Sequence, residues 1–194
     1  YPEEHGVSWA HYQLDDERPL LAGLLAEHGY HTFAVSNNWL LSAENGFARG
    51  FEHYWESATD PLVQSWRLAL RCTALAWISD CIGVPEELAS DAGSAWTNWV
   101  VDRHLASMAS ADRPFFGFLN YFEPHDPYSP PPAYKSSHLT PEQREADRAW
   151  HQEQADLCAQ ACGLSDTLSP EEIELASALY DAEVAYQDEM LGQL

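Results

Sequence analysis

Apolar and polar positions divide the chain into a few strongly marked stretches. Leu20, Leu21, Leu24 and Leu25 recur at helical spacing behind Asp15, Asp16, Glu17 and Pro19, with Gly29 beyond them. Acidic residues at the start, Pro in the first turn and Gly at the end are the signals of a short helix. His31–Ser36 (HTFAVS) is brief, β-branched and aromatic, and predicts a strand. A short helix feeding a strand through Gly29-Tyr30 is half of an α/β unit. The longest apolar run lies within Arg113–Tyr134, where Phe115, Phe116, Phe118, Leu119, Tyr121 and Phe122 are interrupted by one Gly and one Asn. Entered through Pro114 and left through Pro124, it predicts a strand buried on both faces, as at the centre of a parallel sheet.

Between these stretches, Gly46 and Gly50 with Phe47 and Phe51 form a compact turn leading to His53-Tyr54-Trp55. Residues 60–112 read as helical and rich in tryptophan. Trp66, Leu70 and Trp77 share one stripe, and after a break at Gly83–Pro85 a second contains Trp96, Trp99, Val100, His104 and Met108. Aromatic stripes of this kind are read as interior packing. Lys135–Leu168 is polar and predicts loop with a loosely packed helix. Ser169-Pro170-Glu171-Glu172 is a capping box with Pro at the first helical position. The helix it opens has Ile173, Ala176, Tyr180, Val184 and Leu191 on one stripe and Leu175, Leu179, Ala182 and Tyr186 on the next. Its acids, including Asp181, Glu183, Asp188 and Glu189, are expected to face solvent. The whole of 1–194 thus reads as one partial α/β domain with a helical, Trp-rich insertion at about 60–112.

Charge sharpens this picture. The 194 residues include 31 acidic and 9 basic ones, a net charge of −22, with Lys135 the single lysine. Such a field repels nucleic acid and anionic membranes, which are set aside as partners. With 45% hydrophobic residues the chain still has material for a core. High acidity, scarce lysine and an intact core are expected of a protein kept soluble in concentrated salt, where charges are screened within about 3 Å. The cytoplasm of a high-salt host is the compartment expected; secretion is compatible with the same composition. No run approaches the roughly 20 apolar residues of a membrane span. The chain begins at Tyr1 without Met and ends at Leu194 inside a helical pattern, so it reads as a piece of a longer protein. Cys72, Cys81, Cys158 and Cys162 complete no zinc set and are read as ordinary buried thiols.

Candidate chemistry gathers beyond the two predicted strands, because ligands of open α/β sheets bind outside the carboxyl ends of strands. His125, next to Asp126 and between Pro124 and Pro127, can donate a proton or hydrogen bond to a leaving group or an anionic oxygen. Asn37 and Asn38, just after His31–Ser36, offer amides to a polar ligand and are equally routine turn residues. If the two strands run parallel in one sheet, Asn37 and Asn38 share a rim with His125. Pro131-Pro132-Ala133-Tyr134 fits the Pro-Pro-x-Tyr ligand of WW-type modules, although the same residues also continue the strand-exit loop. No Ser, Thr or Cys sits in a recognisable nucleophile setting.

Four segments in order resemble the sulfatase family of the alkaline-phosphatase-like superfamily. Tyr1–Val7 (YPEEHGV) resembles the turn after the family's nucleophile helix, and Leu20–Ser36 its leucine helix and Gly-Tyr-x-Thr strand. Arg113–Tyr134 resembles the Pro-Phe-Phe…Pro-His-x-Pro-Tyr strand and loop, and Leu179–Leu194 the Tyr-x-Ala-x-Val…Asp…Gly helix. The resemblance implies an alkaline-phosphatase-like α/β sandwich, with a mostly parallel central sheet flanked by helices and incomplete in this piece. It implies a hydrolase of sulfate esters, small-molecule or glycan, in which a formylglycine made from an upstream Cys-x-Pro-x-Arg attacks sulfur. A divalent cation, expected to be calcium, neutralises the sulfate, and its ligands are expected outside these residues. His125 matches the family's active-site histidine. None of the four cysteines lies in Cys-x-Pro-x-Arg, so the 194 residues alone are expected to be inactive. Where the family commonly has Gly-Lys-Trp-His, this chain has Ser36-Asn37-Asn38-Trp39, with Asn37 at the anion-binding Lys position. Two alternatives stay open: a phosphoryl-transfer or phosphodiesterase relative with a Thr or Ser nucleophile, and a non-catalytic anion-binding member of the same fold.

Overall fold

His31–Ser36 forms β1, and all of its residues after His31 are buried. Thr32, Phe33 and Val35 are β-branched or aromatic, the types that fit a pleated, enclosed surface. Strands β2 (His53–Glu56) and β3 (Phe115–Asn120) flank β1, both parallel to it, in the order β2-β1-β3. The computed structural model describes residues 12–15, 17–57, 93–108, 112–125, 128–147 and 169–194. It has two compact units, residues 1–122 with Leu194 and residues 123–193.

In the first unit, helix α1 (Leu21–Glu27) precedes β1, as the leucine spacing predicts. Its buried residue is Ala22, however, while Leu21 and Leu24 are exposed. Helix α2 (Ser94–Met108) contributes Trp96, Val100 and Val101 to a core with Phe33 and Val35 of β1. Side chains two apart along a strand share a face, and Phe33 pairs with His53 and Val35 with Trp55. His31, Phe33, Val35, His53 and Trp55 therefore form the sheet face that α2 covers. Gly117 of β3 belongs to the same face. A β-carbon there would lie 2.7 Å from the Phe33 ring, so the glycine is the space that ring occupies.

Two expectations are corrected. β3 is an edge strand of the described sheet, not a strand buried on both faces; Phe115 and Phe118 are 55% and 38% exposed. An apolar run marks a strand that some layer covers, but it does not say which strand is central. That place belongs to β1, which has a neighbour on each side. His53-Tyr54-Trp55, read as the end of a turn, is itself a strand. At four residues, with no alternation of apolar and polar types, it offers no periodic signal.

In the second unit, helix α5 (Pro170–Gly192) starts at the expected capping box. Ser169 Oγ accepts from the Glu172 N–H at 3.2 Å, and the Glu172 carboxylate accepts from the Ser169 N–H at 2.6 Å. Leu175 and Leu179 pack with Leu139, Tyr128 and Ala178. The stripe of Ile173, Tyr180, Val184 and Leu191 is exposed instead. Helix α3 (Pro132–His138) packs on α5, with the Tyr134 ring edge-on to Tyr186 and the Tyr134 hydroxyl donating to Glu189. Pro131 is the N-cap of this helix and Pro132 its first residue. The Pro-Pro-x-Tyr segment is thus a helix start with its tyrosine engaged, and the WW-ligand reading is withdrawn. A further short helix, α4 (141–147), follows, and Lys135 pairs at 2.9 Å with its buried Asp147.

The first tryptophan stripe (Trp66, Leu70, Trp77), all four cysteines, Asp126 with Pro127, and Tyr1–Val7 lie outside the described residues.

Candidate active-site rim

All three strands are parallel, so their carboxyl ends form one edge of the sheet. At that edge the Asn37 N–H donates to the Asn120 carbonyl at 3.1 Å and the Ser57 N–H to the Ser36 carbonyl at 3.0 Å. The chain leaving β1 is therefore stitched to the ends of both neighbours. Asn37 is 4% exposed. Its Nδ2 donates to Thr97 Oγ1 of α2 at 2.8 Å, and its Oδ1 accepts from the Ser57 hydroxyl. Gly93 lies directly against this amide: with φ +129° and a would-be β-carbon 2.7 Å from the Asn37 side chain, no other residue fits there without displacing it. The amide is spent in tying β1 to α2 and to the end of β2.

Asn38 differs. Its Oδ1 accepts from the Leu40 N–H at 3.0 Å, an Asx-turn, and no described residue accepts from its Nδ2. It is half-buried and opens the rim loop. That loop is held from β2: the Tyr54 hydroxyl donates to the Leu41 carbonyl at 2.6 Å, and the Glu56 carboxylate accepts from the Ala43 N–H at 2.6 Å. Burial, with Glu56 nearby, pushes the Tyr54 phenol up to about 12, so it remains a donor. Asn120, the last residue of β3, has a buried Oδ1 without a hydrogen-bond partner among the described residues. The sequence signal for it existed, since it is the one amide inside the aromatic run.

His125 is exposed and follows β3 by five residues, in the second unit. Its electrostatic influence reaches Glu183 of α5, a residue expected on the solvated face and found 3% exposed. Glu183 Oε1 accepts from the Ser129 N–H at 2.5 Å, and its Oε2 is buried without a partner among the described residues. Burial pushes this carboxyl up to about 7; Glu123 raises it further, while the Ser129 N–H, Lys135 and His125 hold it down. The solvated-face reading failed for Glu183 because helical position alone placed it. It lies one residue from Ala182 and three from Tyr186, on the side that packs.

The amino ends of the strands hold the one group of His, Cys, Asp and Glu side chains, among the described residues, close enough to share an ion. It is His31, His53 and His104. His31 and His53 open β1 and β2, and His104 stands on the packed face of α2. The Glu52 carboxylate contacts His31 Nδ1 at 2.5 Å and Arg113 at 2.9 Å, and hydrogen bonding from Arg113 holds its pKa down. Burial, with His53 and His31 alongside, holds the His104 imidazole below its ordinary range. The sequence pattern assigns His104 to interior packing, His31 to a strand and His53 to the end of a turn. Nothing in their spacing of 22 and 51 positions announces a cluster.

A parallel sheet with a stitched polar rim, followed directly by a Pro-His loop, suits the four sequence segments singled out above. The family model "Sulfatase" matches residues 1–194. The chain belongs to the sulfatase family. No curated protein and no solved structure matches it. Membership accounts for the parallel α/β architecture and gives the chain, at family level, to a group of hydrolases. No helix among the described residues is long and apolar enough to cross a membrane.

Proposed function

We propose that this sulfatase-family chain is part of a sulfuric ester hydrolase in which His125 donates a proton or hydrogen bond to the leaving-group oxygen. The observation that carries the reading is the family match across residues 1–194, and the choice of His125 rests on the resemblance of its Pro-His-x-Pro-Tyr sequence to the family's strand-exit loop. The family uses a divalent metal ion and formylglycine. The described residues do not fit either group: no described cysteine is present, and the rim gathers no set of carboxylates. The histidine cluster at the opposite edge offers nitrogen donors, whereas calcium takes six to eight oxygens. No catalytic step is therefore assigned to metal or formylglycine through these residues.

What the chain's own residues do is narrower. An imidazole is the side chain best matched to proton donation near neutral pH, and His125 is exposed, where a substrate reaches it. Asn38 Nδ2 is proposed as a neutral donor to the ester's anionic oxygens. Asn37 braces the rim beneath it and would reach an anion only by surrendering Thr97 and Ser57. A neutral amide where the family resemblance puts a Lys brings no charge and favours a weaker grip on the anion, which supports the non-catalytic anion-binding alternative. The phosphoryl-transfer alternative turns on a Thr or Ser nucleophile.

The test uses the full-length protein with aryl sulfate, aryl phosphate and phosphodiester substrates in parallel. Sulfate-ester turnover that falls roughly 100- to 10,000-fold in His125→Ala, with the fold unchanged, is the expected result. Turnover of the phosphate substrates only would move the reaction class. Sulfate turnover indifferent to His125→Ala would remove the histidine from the mechanism.

A further inference from the structure

The three histidines at the amino edge of the sheet carry an inference independent of the rim. They come from three different elements, the first residues of β1 and β2 and the last turns of α2. The strand backbones are locked by the parallel ladder, and α2 by its core with Phe33 and Val35. One ligand nitrogen from each ring lies within 4.8 Å of the other two. His31 Nε2 and His104 Nε2 are 3.0 Å apart. Zinc–nitrogen bonds of about 2.0–2.1 Å in a tetrahedron put ligand nitrogens roughly 3.4 Å apart, so the His31–His104 pair opens slightly, spacings nearer the 4.8 Å limit close, and the fold need not change.

The surroundings also suit a metal. His31 turns its Nδ1 to the Glu52 carboxylate, which Arg113 fixes from the other side. A carboxylate on the remote nitrogen is the usual partner of a metal-bound imidazole, orienting the ring and raising its basicity. It leaves His31 Nε2 as the inward ligand atom. The two Nε2 atoms face each other within hydrogen-bond distance, where a cation would be shared between the rings. Trp55 and Phe33 pack edge-on to His104, and Trp55 stacks on His53, giving the cluster an apolar flank. His53 is exposed, leaving a side where a water molecule completes four-coordination.

We propose that His31, His53 and His104 form a three-imidazole site for a divalent transition-metal ion, zinc being the best match, that ties β1, β2 and α2 together. Imidazole nitrogens select zinc, copper, nickel or cobalt over calcium and magnesium. The site is about five strand residues, roughly 16 Å, from the carboxyl edge. Its role is therefore structural and separate from any ion at the rim.

The experiment uses full-length protein without a histidine tag, stripped with chelator and titrated with Zn²⁺, Co²⁺ and Ca²⁺. The proposal expects one Zn²⁺ or Co²⁺ per chain beyond any rim ion, with visible absorption of four-coordinate Co²⁺ and a higher melting temperature that Ca²⁺ does not produce. His53→Ala, at an exposed position, removes the ion, the absorption and the thermal gain. Glu52→Gln weakens binding about 10- to 100-fold. His28→Ala, at an exposed histidine whose ring bonds the Leu24 carbonyl, changes nothing. Failure of the wild-type protein to take up Zn²⁺ or Co²⁺, or uptake and thermal gain unaltered in His53→Ala, would reduce the cluster to aromatic packing and overturn the proposal.

Discussion

Two side chains show how burial decides what a residue can do. The Asn37 amide, enclosed between Thr97, Ser57 and Gly93, is a structural joint at the mouth of the sheet. Asn37→Ala leaves two buried hydroxyls without their amide, so the expected loss is about 1–3 kcal/mol of stability. Chemical denaturation measures it, and the affinity for substrate in the still-folded protein should change little. A large rise in KM with stability intact would instead give Asn37 to the substrate. Glu183 makes a pH prediction. Its folded pKa of about 7 lies above the ordinary 4.5, so between those values the folded state holds a proton that the unfolded state has lost. Its contribution is therefore full below pH 4.5 and is lost as pH rises through 7, a change of about 3 kcal/mol at most. Glu183→Gln still accepts from the Ser129 N–H and no longer titrates. Denaturant midpoints measured across pH 5–8 should fall with pH in the wild type and flatten in the variant; parallel slopes would reject the account.

Elements with strong local signals were legible, and those defined by their neighbours were not. β1 lies at its predicted bounds because a β-branched run between Gly29 and two asparagines leaves little choice. The capping box sets the start of α5, and the Trp96–Val100–His104 spacing places α2. Three features escaped. β2 is four residues long and exists through its pairing with β1. The apolar run of β3 suggests a central strand because its residues are the most apolar, yet sheet order is a tertiary fact that composition does not encode. On α5 both stripes are apolar, and the buried one includes Glu183 and Gln187 while Ile173 and Leu191 face out. Hydrophobicity names faces that can be covered; packing partners determine which face is. The rim asparagines could be found from the strand-end rule. The histidine cluster could not, since parallel pairing and helix packing bring together positions 31, 53 and 104.

Charge acts over the whole chain. The 31 acidic residues are divided almost evenly along the chain: residues 1–122 contain 16 against 6 basic ones, and residues 123–193 contain 15 against 3. Each range has a large excess of acids, so each repels itself. α5 alone has seven acids and no Lys or Arg, with Glu171 and Glu172 favourably placed at its amino end and Asp188 and Glu189 unfavourably near its carboxyl end. At 0.1 M salt such charges interact over about 10 Å, and at 1 M over about 3 Å, so molar salt removes most of the repulsion between neighbours on one helix and across a unit. Surface ion pairs cannot substitute, because 9 basic residues cannot neutralise 31 acids. The full protein is therefore expected to lose helical circular dichroism as salt is lowered from molar to dilute, and to recover it when salt is restored. Chloride and sulfate salts should act alike at equal ionic strength if screening is the cause. A spectrum unchanged by dilution would mean that the cores around Phe33 and around Leu179 outweigh the field, and the salt-loving reading of the composition would fall with it.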